Sequence, residues 1–227
     1  MLWDQTLVEL FRKGGFAMWP LLACSVLGIA IVIERGSYFF RLRLPYAGFL
    51  RDLMQRLERG EIRQAIAYCL KLPNPVARIA AEYLRHRRDD KLREEVLRKT
   101  GSYAMEGIES RLRVLAVLTH IAPLLGLLGT VTGLVAAFHQ IELQGGQVQP
   151  GDLAAGIWEA LVTTVFGLVI AIPCMAAYHG FEGAADRIAR QMQLVITELN
   201  AFFGKASRQQ FIVDDPERTE TELRAIG

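Results

Sequence analysis

Three long stretches of this chain contain no Asp, Glu, Lys or Arg. They run from Gly14 to Ile33, from Val114 to Gln140 and from Ala160 to Phe181. A helix that crosses the hydrocarbon core of a bilayer needs about 20 apolar residues, and the buried helices of soluble proteins are usually shorter. Three such stretches in one chain therefore predict an all-α, polytopic membrane protein with three transmembrane helices.

The remaining composition argues against several other classes of protein. The net charge of the 227 residues is only +2, which is too small to indicate nucleic-acid binding. Cys24, Cys69 and Cys174 lie 45 and 105 residues apart without a CxxC pair, so neither a disulfide framework nor a cysteine zinc site is expected. His120 and His139 have no acidic cluster beside them, which argues against a metal site. Nucleotide-binding and hydrolase motifs are absent from the sequence, so we expect neither a cofactor nor an enzyme.

The basic residues indicate how the helices are oriented in the membrane. Between Glu34 and Arg113 lie 18 Lys and Arg residues, whereas the connector from Ile141 to Glu159 has none. Since cytoplasmic loops carry the excess of positive charge, the long segment is predicted to be cytoplasmic and the connector periplasmic. Arg12 and Lys13 oppose this orientation but are outnumbered. The predicted organisation is a periplasmic N-terminal segment (1–13), a first span (14–33), a cytoplasmic helical region (34–113), a second span (114–140), a periplasmic loop (141–156), a third span (157–181) and a cytoplasmic C-terminal helix and tail (182–227).

Helical periodicity continues through the predicted cytoplasmic region. Phe49, Leu53 and Leu57 recur at the spacing of one helix face. The prolines of KLPNPVAR divide this region into successive helices, and the last helix is expected to run on into the second span. The Arg-rich sequence RHRRDDKLREEVLRK is interpreted as a solvated helix surface rather than a nucleic-acid site.

Small residues recur on one face of each of the last two spans. Small side chains let helix backbones approach closely, so both faces are expected to pack against protein rather than lipid. The second span also contains a GxxxG pattern, from Gly129 to Gly133. The residues assigned to helix packing are Ala122, Gly126, Gly129 and Gly133 in the second span and Gly167 and Ala171 in the third.

Two threonines lie on these small-residue faces. Thr130 is eight residues from Phe138 and Thr164 is eight residues from Gly156, so both lie about 12 Å below the outer ends of their helices. Their hydroxyls either line a common polar route or bond a carbonyl one turn back. Glu159, near the outer mouth, is either an interfacial carboxylate or an ion or proton relay. The middle of each span lacks Asp, Glu and Lys, so if the protein moves protons the titratable group must come mostly from elsewhere.

The sequences of the last two spans resemble a known family. PLLGLLGTVTGLVAAF and GIWEALVTTVFGLVIAIP, joined by a short acidic loop, are similar to the signature region of the MotA/TolQ/ExbB proton-channel family. RGEIRQAIAYCLKLPNPVARI, ahead of the second span, and IVIERGSYFF, at the end of the first, also look like the family's sequences. The resemblance extends to about Asn200, and three spans rather than four favour the ExbB/TolQ branch over MotA.

The resemblance implies a homo-pentameric ring in the bacterial inner membrane, around a dimer of a single-span, ExbD/TolR-like partner that supplies an intramembrane Asp. It implies that the proton motive force drives this complex, and that a TonB- or TolA-like protein carries the work outward for outer-membrane transport or envelope maintenance. Thr130, Thr164 and Glu159 match the polar positions of the family, whereas Thr163 departs from the small apolar residue common there. A non-conducting membrane scaffold of the same fold, which assembles envelope proteins, is the alternative, and the ExbB-type and TolQ-type roles are not separated.

Overall fold

The computed structural model describes residues 15–143 and 150–214 of the chain. Within these ranges every regular element is a helix, which confirms the predicted all-α class. Three of the helices are long and apolar enough to cross a membrane, as the uncharged stretches predicted. The helices are α1 (Met18–Arg41), α2 (Tyr46–Glu58), α3 (Ile62–Lys71), α4 (Pro75–Arg85), α5 (Asp90–Leu143) and α6 (Pro150–Asp214).

The helices α5 and α6 are long, with 54 and 65 residues. α5 begins in the region predicted to be cytoplasmic and continues through the second apolar stretch, so the predicted run-on helix is confirmed. Residues 150–156, which the sequence analysis assigned to a loop, belong to α6. Residues 141–143 of that predicted loop likewise belong to α5, and only residues 144–149 of it, like the N-terminal segment 1–13, lie outside the described residues.

The chain divides into two compact units. The first unit is formed by Met1–Phe40 and Gly107–Ala184, and the second by Arg41–Glu106 and Ala185–Gly227. The first unit therefore contains the three apolar stretches, and the second contains α2, α3 and α4.

In the first unit, α1 packs against the apolar parts of α5 and α6. At most 33% of the residues in each apolar window are buried inside the protein. The other residues are therefore exposed or only partly buried, which is favourable where the surroundings are apolar as well. Two clusters of buried side chains fill the contact, one formed by Met18, Leu21, Ala122 and Ala171 and the other by Ile31, Leu115, Leu118 and Cys174.

A buried arginine fixes the end of α1 in this unit. Arg35 is only 5% exposed, and its Nη1 donates to the carbonyl oxygens of Gly107 and Ile108 in α5, each at 3.3 Å. Next to it in the sequence, Glu34 forms an ion pair with Arg111. Hydrogen bonds from a charged donor contribute about 1.5–3 kcal/mol. The side chains of two consecutive residues of α1 thus hold its end against α5.

The second unit begins with three short amphipathic helices. α2 buries Phe49, Leu53 and Leu57, whose spacing predicted the helix. α3 ends at Lys71 and α4 begins at Pro75, so the predicted break between them is confirmed.

Asn74 determines where α4 begins. Its side-chain oxygen accepts a hydrogen bond from the backbone N–H of Val76 at 2.8 Å, which is a typical N-cap interaction. The amide group of Asn74 also donates to the carbonyl of Leu42 at 2.6 Å. One side chain therefore caps α4 and ties it to the segment that precedes α2.

Tyr83 joins three helices of the second unit. Its hydroxyl donates to Oδ1 of Asn200 in α6 at 2.7 Å, and its ring stacks on Phe203 with centroids 6.1 Å apart. The guanidinium group of Arg93, in the first turn of α5, lies 4.8 Å from the centre of the Tyr83 ring. Tyr83 is 1% exposed, so α4, the start of α5 and the later part of α6 share this buried side chain.

Candidate functional site

Glycine residues bring α5 and α6 into close contact in the first unit. A Cβ atom at Gly126 would lie 2.9 Å from the backbone oxygen of Thr163, and one at Gly167 would lie 2.7 Å from the backbone oxygen of Ala122. Real Cβ atoms essentially never approach another heavy atom within 3.0 Å. Only glycine therefore fits at these two positions, and the two backbones approach closely because neither side chain is present.

Small residues oppose one another along this contact, which we call the α5–α6 seam. The opposed pairs are Ala137 with Gly156, Gly133 with Ala160, Gly129 with Thr163, Gly126 with Thr164, and Ala122 with Gly167. Ala171, also assigned to packing from the sequence, lies instead in the cluster that includes Met18 and Leu21 of α1. The small residues thus have their neighbours within one chain, and by themselves they do not require a second copy.

Thr163 is enclosed in the seam. It is 1% exposed, and its Oγ1 lies 2.7 Å from the carbonyl oxygen of Ala160 and 3.2 Å from that of Gly126. A Cβ atom at Gly129 would lie 2.6 Å from the Cβ of Thr163. The Thr163 side chain therefore fills the space that Gly129 leaves open, and its hydroxyl proton is shared between two backbone carbonyls.

Thr130 and Thr164, the two threonines predicted to line a polar route, have different partners. The hydroxyl of Thr164 donates across the seam to the carbonyl of Gly126 at 3.0 Å. The hydroxyl of Thr130 donates to the carbonyl of Leu127 in its own helix at 2.6 Å. Of the two arrangements that the sequence left open, Thr130 thus bonds one turn back, whereas Thr164 bonds to the facing helix.

The register of the seam places these two threonines at the same level. Gly133 lies opposite Ala160, so Thr130, three residues earlier, lies level with Thr163 and beside Thr164. One residue of an α-helix rises about 1.5 Å, so the two levels agree to about that distance. The two hydroxyls do not bond each other, because each has a separate carbonyl as its acceptor.

Glu159 belongs to α6, but its side chain lies outside the described residues. It precedes Thr164 by five residues, which is about 7.5 Å along the helix axis. Among the described residues, no group of His, Cys, Asp and Glu is arranged to hold a metal ion. Hydroxyls and carbonyls orient water and hydrogen-bond carboxyl groups, but they do not change charge near neutral pH. The described seam residues can therefore orient water or a carboxyl group, but none of them takes up or releases a proton near neutral pH.

The enclosure of Thr163 was not predicted from the sequence. That residue attracted attention only as a departure from the family pattern, yet the structure encloses it in the seam. A signal was present, because Thr163 follows Ala160 by three residues and precedes Gly167 by four, and so shares a helix face with both. The spacing did not distinguish it from Thr164, since adjacent residues of a helix flank the same contact.

Residues 71–194 match the family model for the MotA/TolQ/ExbB proton channel family, a segment that includes the whole seam. The biopolymer transport protein exbB1 of Vibrio cholerae is 30% identical over 200 residues, covering 86% of this chain and 88% of that protein. A putative biopolymer transport protein, ExbB-like 1 of Synechocystis, is 32% identical over 177 residues, covering 76% of this chain and 69% of that protein. The Tol-Pal system protein TolQ of Haemophilus influenzae is 35% identical over 108 residues, covering 45% of this chain and 46% of that protein.

The seam predicts a sharp difference between two glycines of α6. Gly167→Ala places a Cβ atom against the backbone oxygen of Ala122, whereas Gly180→Ala places one in open space. Overpacking costs about 1–3 kcal/mol, so we expect the Gly167 variant to unfold about 2–10 °C below the wild type in mild detergent. The Gly180 variant serves as the control and should unfold at or above the wild-type temperature, because alanine favours the helix. Equal unfolding temperatures for both variants would contradict the close contact at Gly167.

Proposed function

This chain belongs to the MotA/TolQ/ExbB proton channel family, and we propose that it is the channel subunit of an ExbB–ExbD or TolQ–TolR type complex. Its three apolar helices and its relatives make it a multi-pass inner-membrane protein. The complex uses the proton motive force to energise a TonB- or TolA-like protein, for outer-membrane transport or for envelope maintenance. In this role the protein is a channel and not an enzyme.

The observation that carries this proposal is the composition of the seam. Thr130 and Thr164 lie at one level of two helices whose apolar stretches contain no acidic residue and no lysine. Polar groups at membrane depth commonly mark the path of an ion or a proton. Because hydroxyls cannot carry a proton charge, the pathway requires a carboxyl group that this chain does not supply at that level.

The carboxyl group comes, in this proposal, from a single-span partner of the ExbD/TolR type with an intramembrane Asp. Thr130 and Thr164 then line the route that this side chain uses, and Glu159 stands nearer to the periplasmic mouth. Support comes from the names of the relatives, which are transport and Tol-Pal proteins, and from the position of Glu159 five residues before Thr164.

We further propose that five copies form a ring around two copies of this partner. The small residues of the seam do not support the ring, since they pack within one chain. Its support is the family membership together with the many apolar side chains of α1, α5 and α6 that are not buried within one chain. A ring would enclose the partner helices and keep the proton route away from lipid.

Native mass spectrometry tests the ring. With the partner co-expressed and the complex extracted in mild detergent, we expect assemblies that contain five copies of this chain. A stable monomer as the only species would exclude the proposed assembly.

The orientation proposed from the basic residues has the N-terminus in the periplasm and the C-terminus in the cytoplasm. A single cysteine at Leu92 should resist a membrane-impermeant maleimide in intact cells, whereas one at Gln147 should react. The native Cys69 adds little background, because it is fully buried and burial raises the pKa of its thiol to about 12, which leaves almost no reactive thiolate. Labelling at Leu92 without labelling at Gln147 would reverse the proposed topology.

A non-conducting scaffold remains the competing function, and one observation favours it. The hydroxyl of Thr130 already has an acceptor in its own helix, which is the arrangement that a purely structural threonine adopts. A scaffold of this fold would assemble envelope proteins without coupling to protons. The two functions predict different results when the seam hydroxyls are removed.

Thr→Val substitutions separate the two functions. Thr130→Val and Thr164→Val replace a hydroxyl by a methyl group of the same volume, so we expect proton flux to fall to background while the yield of complex stays normal. A structural role predicts intact flux, since a hydrogen bond between membrane helices contributes only about 0.6 kcal/mol on average. Flux is measured as acidification of liposomes that contain the complex with its partner, under an imposed membrane potential.

Three variants serve as controls for this experiment. Thr132→Val removes a hydroxyl that bonds the carbonyl of Leu128 at 2.9 Å outside the seam, and it should stay active. Thr163→Val removes a hydroxyl that reaches the same Gly126 carbonyl as Thr164 but is fully enclosed, and it should also conduct. Thr164→Ser retains the hydroxyl and should restore flux. Normal flux in both Thr130→Val and Thr164→Val, at normal yield, would show that these hydroxyls are structural.

A further inference from the structure

A basic cleft lies where α4 meets α5 in the second unit. It has a volume of about 370 Å³, and its lining combines three arginines and a histidine with one acidic residue. With the histidine neutral, three positive charges against one negative charge give the lining a net charge of +2. A concave surface of one sign concentrates groups of opposite charge. The lining residues are Arg85, His86, Arg87, Arg88, Asp89 and Leu92.

The three arginines of the cleft differ in how they are paired. Arg85 forms an ion pair with Glu82 at 3.0 Å, and Arg87 donates to the carbonyl of Leu84 at 3.1 Å. Arg88 is exposed and has no hydrogen bond or ion pair with any residue that the structure describes. An anionic group that enters the cleft would therefore meet an uncompensated guanidinium.

The carboxylate of Asp89, which also lines the cleft, already has a hydrogen-bond partner in α5. Asp89 accepts a hydrogen bond from the backbone N–H of Leu92 at 3.0 Å and so caps the start of α5. Its negative charge stabilises the helix terminus, which carries a partial positive charge. Asp89 is thus directed towards the helix backbone rather than towards Arg88.

The C-terminal residues of the same chain have the complementary charge. Residues 215–227, DPERTETELRAIG, contain four carboxylate side chains and two arginines, which gives a net charge of −2. The carboxylates recur over eight residues, at Asp215, Glu217, Glu220 and Glu222. The net charge of this C-terminal tail is therefore opposite in sign to that of the cleft lining.

The contacts of Tyr83 bring the cleft within reach of this tail. Tyr83 precedes the cleft residue Arg85 by two positions and contacts Asn200 and Phe203 of α6. From Phe203, α6 continues for 11 residues to Asp214, a length of about 16 Å. An extended segment of 13 residues spans about 43 Å. The tail is thus more than long enough to return to the cleft.

We propose that the cleft between α4 and α5 binds the acidic tail 215–227 of its own chain. A tethered segment of this length is present at an effective concentration on the order of millimolar, so several ion pairs acting together with an intrinsic dissociation constant of about 1 mM would hold it. Exposed ion pairs are individually weak and are screened by salt, so the contact is reversible and depends on ionic strength. This interaction is separate from the seam and from proton conduction, and it stands or falls without the proposed channel function.

Photo-crosslinking in the full-length protein tests this proposal. Leu92 lines the cleft and is 44% exposed, so a benzoylphenylalanine at this position probes the cleft without removing an arginine. Mass spectrometry of the purified complex should find the probe joined to peptides from residues 215–227. The same probe at Tyr103, which is 65% exposed on α5 and outside the cleft, should not join these peptides.

Charge variants then test the electrostatic origin of the contact. Arg88→Glu should lower the crosslink yield from Leu92 by about two- to fivefold, the range for losing one exposed ion pair, and 0.5 M salt should lower it as well. Lys91→Glu, an exposed position outside the cleft lining, should leave the yield unchanged. Combining Arg88→Glu with Glu220→Arg and Glu222→Arg should restore the crosslink.

Four results would overturn the proposal. The first two are the absence of any tail crosslink from Leu92 and a crosslink yield that Arg88→Glu leaves unchanged. The third is crosslinking to lipid, nucleic acid or another protein instead of the tail. The fourth is crosslinking only between different copies of the chain, which is detected by mixing isotopically heavy and light chains.

Discussion

The approach of two helix backbones at residues without side chains is the constraint on which the first unit depends. Gly126 and Gly167 leave no room for a Cβ atom, and for this reason the carbonyl of Gly126 lies within reach of hydroxyls on the facing helix. Had either backbone carried a methyl group here, Thr164 would have only its own helix as an acceptor. The polar chemistry of the seam is therefore a consequence of its packing.

The threonines of the apolar stretches and the buried polar side chains of the second unit have different partners. In apolar surroundings an unpaired polar group costs several kcal/mol, so hydroxyls there must find acceptors within the protein. Within the described part of the second and third apolar stretches, every threonine hydroxyl donates to a backbone carbonyl. The second unit instead uses side-chain pairs such as Tyr83 with Asn200 and a capping Asn74, as water-soluble helical domains do.

Much of the architecture followed from local sequence properties. The three spans could be predicted from the length of the uncharged stretches. The helix α2 could be predicted from the spacing of Phe49, Leu53 and Leu57. The start of α6 was placed too late, although Pro150 suits the first position of a helix. The facing partner of each small-residue stripe could not be predicted, because a stripe shows that a face is small and not which helix covers it. For the same reason, the enclosure of Thr163 rather than Thr164 emerged only from the register.

Because the hydroxyls of Thr130 and Thr164 both donate to backbone carbonyls, they remain available only as hydrogen-bond acceptors. A threonine hydroxyl has one proton, and in Thr130 and Thr164 this proton points to the carbonyls of Leu127 and Gly126. With their protons engaged, these two hydroxyl oxygens can only accept a hydrogen bond from another group. A neutral carboxylic acid can donate its proton to such an oxygen, whereas an ionised carboxylate, which only accepts, finds no donor there. A carboxylic acid that hydrogen-bonded to these two oxygens from outside the seam would therefore keep its proton more tightly than it does in water.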